Sequence, residues 1–134
     1  MIRYAPLSVF SNYSFLEGAS FPEELVARAA AFDLPAIAIT DRDGMYGIIR
    51  AHVTARELGI KLLVGATITR SDGPPVTLMA MTKRGYAAIC RIITIGRGAA
   101  EKGSSRVTTR ELLHNCGRHV ILIHPALHRE SYTD

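Results

Sequence analysis

Residues 35–44 read PAIAITDRDG, and no other stretch narrows the fold as far. Ala36 to Thr40 is short, apolar and β-branched, bounded by a proline and an acidic turn, which fits a strand buried on both faces. The segments on either side have helical periodicity. Upstream, Ser20-Phe-Pro-Glu23 reads as a capping box with proline in the first turn, opening a helix whose Leu25, Val26, Ala29 and Ala30 share a face until Asp33-Leu-Pro35 stops it. Downstream, Met45, Ile48, Ile49, His52 and Val53 recur at helical spacing until Gly59. His52, inside that stripe, reads as a core-edge histidine.

The rest of the chain continues the pattern. Tyr4 to Phe10 reads as an extended segment broken by Pro6. Lys61 to Ile68 is a second strand, with Gly65 where another backbone comes close. A turn cluster at 71–75 and a strand at 76–81 make a hairpin with it. Lys83 to Ile95 is a helix with Tyr86, Ile89, Cys90 and Ile93 inward, Arg84 and Arg91 on a polar face, and Gly96 as its end. Residues 96–106 (GRGAAEKGSSR) form a basic, Gly/Ser-rich loop. Thr108-Thr-Arg-Glu111 is a second capping box for a short helix, and His119 to Ile123 reads as a last buried strand ending at His124. Strands alternating with helices predict an α/β fold with mostly parallel strands.

Length and composition set limits. The 134 residues suit one domain, 1–134, and fall short of the roughly 250 that a closed α/β barrel uses. Apolar residues make up 48% and charged residues 21%, which excludes a disordered chain. No apolar run could cross a membrane, no export signal is visible, and Cys90 and Cys116 lack metal or redox spacing. A cytoplasmic protein with no membrane partner is the expectation. The net charge of +4 comes from the second half: residues 1–75 hold seven Lys/Arg against eight Asp/Glu, residues 76–134 nine against four. Arg84, Arg91, Arg97, Lys102 and Arg106 are its candidate nucleic-acid contacts. Aromatic residues that mark single-strand binders are sparse there, with only Tyr86 and Tyr132.

Ligands of α/β folds bind beyond the carboxyl ends of strands. That rule selects Ser8 to Ser11, Asp41 to Asp43, Thr67 and His124 as one rim. The D-x-D spacing is a weak metal signal, because Asp43-Gly44 reads first as a cap for the next helix. Ser11 and Ser14 show no nucleophile elbow.

At these residues the chain resembles the N-terminal polymerase and histidinol phosphatase (PHP) domain of bacterial DNA polymerase III alpha subunits, in their error-prone branch. "SNYSFLEGAS", "PEELVARAAAFDLPAIAITDRDGMYG" and "KRGYAAICRIIT" occur in the order such domains show, within a stretch from Tyr4 to Ile123. The resemblance implies a partial PHP-like (βα) barrel, about half the length of a full PHP domain. It also implies a degenerate metal site. The family's H-x-H-S stands here as Ser8-Val9-Phe10-Ser11, its T-D-H as Thr40-Asp41-Arg42, and its G-x-E as Gly65-Ala66-Thr67. Ser8, Phe10, Arg42 and Thr67 therefore occupy ligand positions with residues that rarely hold catalytic metals, while Glu17, Asp41 and Asp43 remain.

The implied function is a metal-free module of an error-prone polymerase, with no confident catalytic residue, acting as scaffold or docking surface in damage-tolerant DNA synthesis. Arg42 would fill the space of the lost cations, pairing with Glu17, Asp41 or Asp43. Two other readings stay open: a residual phosphoesterase using Glu17, Asp41, Asp43 and His124 with zinc or manganese, and a basic nucleic-acid-binding module. The expected partners are the remainder of a polymerase chain or a second copy covering open sheet edges, with DNA reached through the parent complex.

Overall fold

A computed structural model describes residues 3–125. Tyr132 and the last residues of the 1–134 domain lie outside the described residues. The elements run α1 (Pro22–Ala31), β1 (Ala36–Ile39), α2 (Ile48–Leu58), β2 (Lys61–Ile68), β3 (Val76–Ala80), α3 (Lys83–Gly98), α4 (Thr109–Cys116), a 3-10 turn (Gly117–His119) and β4 (Val120–Ile123). The strands form one sheet in the order β1-β2-β3-β4.

The expectation of mostly parallel strands is corrected. β1 and β2 are parallel, but β2 pairs antiparallel with β3, and β3 antiparallel with β4. The reason lies in the connections. α2 provides a crossover long enough to return the chain parallel, whereas the turn between β2 and β3 permits only a hairpin. α3 and α4 then lead into β4, which runs in the same direction as β1.

Register and burial place the helices on one face of the sheet. Ile37 and Ile39 pair with Leu62 and Val64, and all four pack with Val26, Ala29, Ile48, Ala51 and Ala55. Ala66 and Ile68 have the same parity along β2. With Val76 and Leu78 they pack against Ile89, Ile92, Val107 and Leu112, and Met45 touches both clusters. The opposite face carries Ala38, Thr40, Gly65, Thr67, Thr77 and Met79. Residues 6–9 lie beside β1, where the Pro6 and Val9 carbonyls accept from Ala38 and Thr40 N–H at 3.0 and 2.9 Å.

Several local expectations shift. Phe21, not Ser20, is the N-cap of α1, and its N–H donates to Glu24 Oε2 at 2.8 Å. α2 buries Ile48, Ala51 and Ala55, leaving Ile49, His52 and Val53 exposed; small residues let α1 and α2 approach closely. α3 runs past Gly96 to Gly98, and Ile92 is buried where Ile93 is only partly so. Gly96 is a packing position, because Ser105 Oγ and Val107 Cγ2 occupy the space of a side chain. β4 is not buried: Ile121 and Leu122 are 48% and 39% exposed on the sheet's edge. The Thr108/Glu111 capping box is present as expected.

Candidate functional site

The rim beyond β1 and β2 is built by a chain crossing. The Thr67 N–H donates to the Asp41 carbonyl at 2.9 Å and the Asp43 N–H to the Thr67 carbonyl at 2.8 Å, extending the parallel pairing through Arg42 and Thr67. That fixes three consecutive residues with their side chains pointing to three different places.

Asp41 points inward and is 2% exposed. Its Oδ1 accepts from the Ser11 N–H and the Ser14 hydroxyl, its Oδ2 from the Ser11 hydroxyl, each at 2.7 Å. Three short donors on a carboxylate make this the polar core of the rim. Ser14 Oγ in turn accepts from the Arg42 N–H at 2.9 Å. Ser11 and Ser14 thus hold Asp41 as donors, a contact that their positions in "SNYS" did not reveal.

Asp43 does not cap α2, whose N-cap is Gly47. With φ at 48° it turns back, and its carboxylate accepts from the Thr69 N–H at 2.8 Å and the Thr69 hydroxyl at 2.6 Å. Its carbonyl accepts from Arg97 Nε and Nη2 at 3.3 and 3.1 Å, while Arg97 Nη1 donates to the Ser104 carbonyl at 3.1 Å. Arg97 therefore ties the 99–107 loop to the rim.

Arg42 points outward. Its Nε donates to Glu17 Oε2 at 2.7 Å and its Nη2 to Glu17 Oε1 at 2.5 Å, a bidentate clamp, and its guanidinium lies 5.4 Å from the centre of the Phe10 ring. The guanidinium's hydrogen bonds hold the Glu17 carboxyl below its ordinary value, and the same bonds raise Arg42. Of the three carboxylates open to Arg42, Glu17 is the partner.

Because the pair is about one-third exposed, Arg42→Ala is expected to cost only about 1 kcal/mol at neutral pH, roughly 2–4 °C in Tm. Glu17's depressed folded pKa gives stability that is complete above its ordinary value of 4.5 and lost as pH falls through the folded value. The Tm difference between parent and variant should therefore shrink on acidification. A difference that stayed constant to pH 3 would remove the ion pair as its cause.

The remaining positions separate into those gathered and those not. Thr67 is buried, its hydroxyl donating to the Thr40 carbonyl at 2.9 Å and lying 3.1 Å from Thr77 Oγ1. Ser8 is exposed. His124 is at the same end of the sheet but exposed, three strand spacings from β1, or about 14 Å, with Nδ1 against the Pro125 carbonyl at 2.7 Å. It is not brought to the carboxylates. Arg84, Arg91, Lys102 and Arg106 are exposed. Among the described residues, no three His, Cys, Asp or Glu side chains gather where they could hold a metal ion. The donor set does not fit a catalytic cation: the oxygens of Glu17, Asp41 and Asp43 already accept from a guanidinium, hydroxyls and N–H groups.

The sheet carries its helices on one face and a polar cluster beyond the ends of its two parallel strands, the place where α/β folds keep their ligand sites. The comparisons make this specific. The PHP domain family matches residues 7–128, and the chain belongs to that family. It is 47% identical over 109 residues to an error-prone DNA polymerase of Methylococcus capsulatus, covering 81% of this chain and 10% of that one. It is 47% identical over 112 residues to one of Pseudomonas paraeruginosa, covering 84% and 11%. The chain spans about a tenth of the length of these relatives. An amidohydrolase from Chromobacterium violaceum, described with bound sulfate and no metal, matches with a TM-score of 0.58 and 26% identity, covering 71% of this chain and 34% of that one. No helix among the described residues is long and apolar enough to cross a membrane.

Proposed function

We propose that the chain is a non-hydrolytic PHP module of an error-prone DNA polymerase, with a structural role within a larger polymerase during damage-tolerant synthesis. The observation that carries this reading is the state of the carboxylates. In a metal-dependent hydrolase they face cations and an activated water. Here Arg42 clamps Glu17, and Asp41 accepts three hydrogen bonds from Ser11 and Ser14. A divalent ion entering this rim would have to displace a fixed positive charge and strip donors from a buried carboxylate. Ser8, Phe10, Arg42 and Thr67 are the residues of the degenerate site. The identity to error-prone polymerases supports the polymerase context.

Elemental analysis of protein equilibrated with zinc or manganese and then dialysed tests the reading. Less than about a tenth of an equivalent per chain is expected, since a rim with a clamped and a saturated carboxylate lacks the three or four free ligands such ions need. Stoichiometric metal, together with metal-dependent cleavage of a phosphate ester, would replace it with the phosphoesterase reading.

A further inference from the structure

Beside the Arg42–Glu17 pair lies a cleft of about 410 Å³, and its walls come from opposite halves of the chain. One wall is the 12–17 loop, which contributes Tyr13 and Phe15. The other is Arg97 with residues 103–105 of the basic loop. Phe15 is 84% exposed, next to the equally exposed Leu16 in a left-handed conformation (φ 64°) that holds the loop tip outward. Tyr13 lies 6.2 Å from the ring of Tyr46, itself exposed, and Arg50 Nη1 donates to the Tyr13 hydroxyl at 3.3 Å. The aromatic platform is built into the backbone: side-chain carbons at Gly44 and Gly47 would collide with the Tyr46 ring and with Pro22 beneath Tyr13.

The facing wall is cationic. Arg97 spends its hydrogen bonds on two carbonyl oxygens, so its charge has no carboxylate partner among the described residues. Lys102 and Arg106, both exposed, flank the loop residues that line the cleft. Exposed ring faces opposite Arg97, in a cleft whose two carboxylates are already engaged, Glu17 by Arg42 and Asp43 by Thr69, suit a ligand that carries flat apolar rings and regularly spaced negative charge. Folded protein surfaces rarely offer that combination, and single-stranded nucleic acid does so at every residue.

We infer that this cleft grips single-stranded DNA or RNA without cleaving it, bases stacking on Phe15 and Tyr13 and phosphates lying along Arg97, Lys102 and Arg106. The inference rests on the reading of the rim as non-hydrolytic but is tested separately from it.

The test is fluorescence anisotropy of a labelled oligothymidylate of about 15 nucleotides with the 134-residue chain, at several salt concentrations. Binding is expected to weaken steeply with salt. Phe15→Ala should weaken it by about five- to a hundredfold, the loss of one stacked base. The double variant Lys102→Glu and Arg106→Glu should lower the salt slope by about 1.4. Phe32→Ala, at the far end of α1 and also exposed, should bind as the parent does. Circular dichroism shows whether each variant is folded. No binding by the folded parent, or binding indifferent to Phe15→Ala, would overturn the inference, leaving the metal measurement untouched. Oligonucleotide binding accompanied by metal-dependent degradation would keep the grip but overturn the non-hydrolytic reading.

Discussion

Asp41→Ala should destabilise the chain by about 3–5 kcal/mol, a large part of the 5–15 kcal/mol that holds a domain of this size together. The carboxylate is 2% exposed and is the acceptor for the Ser11 N–H and for the hydroxyls of Ser11 and Ser14. Alanine leaves three donors facing a small apolar cavity, and each buried donor without a partner costs about 1–3 kcal/mol. The loss should reach beyond position 41, because these bonds pin the 11–17 loop that carries Glu17 to Arg42 and Phe15 to the cleft. Asp41→Asn separates geometry from charge. Its amide oxygen can still accept from the Ser11 N–H and Ser14 hydroxyl, and its amide nitrogen can donate to Ser11 Oγ. That variant should lose only about 1–2 kcal/mol. Urea denaturation of the three proteins measures both differences; equal losses for Ala and Asn would show that the negative charge, rather than the acceptor geometry, is what the two serines need.

Gly65→Ala should cost about 3 kcal/mol, the upper end of what overpacking usually brings. A Cβ on residue 65 would collide with the Leu78 carbonyl oxygen and come within 3.2 Å of Thr40 Cγ2. The first obstacle is backbone of the neighbouring strand, paired in register with Gly65 opposite Met79, so relief requires moving β3 against β2. The substitution would also press on Thr40, which holds the Val9 N–H through its hydroxyl at 3.0 Å. Gly98→Ala is the control, since a Cβ there meets nothing within 4 Å. It should be neutral or stabilise by about 0.5 kcal/mol through the lower entropy of the unfolded chain. Thermal melts of the two variants settle the matter, and Gly65→Ala melting with the parent would mean that β2 and β3 have room to part at this point.

How much was legible beforehand depended on how far apart the interacting residues are. The strand at Ala36–Ile39, the close approach at Gly65, the β2–β3 hairpin and the Thr108/Glu111 cap were readable because each rests on a few neighbouring residues: a run of apolar β-branched side chains, a missing Cβ, a turn too short for a crossover, a hydroxyl three positions from a carboxylate. The pairing of Arg42 was readable only as a choice among three carboxylates. Reading the periodicity of α2 as a stripe through Ile49 and Val53 failed for a related reason. Helical spacing says which residues share a face, and the shape of the partner decides which face is buried; against α1 that was the one lined by Ala51 and Ala55.

The sequence by itself determined that this is an α/β chain with a polar rim after its first strand. Tertiary structure alone decided what the rim's groups do. Asp41 meets Ser11 and Ser14 across 30 and 27 residues, Arg42 meets Glu17 across 25, and Arg97 reaches the Asp43 carbonyl across 54. The aromatic residues that looked too sparse in the basic half are supplied to its loop by the other half, across the cleft. Periodicity and capping act within an element, over about four residues. Which loops face each other is set by how α1 to α4 bury their apolar faces on one side of the sheet, and that is a property of the packed whole.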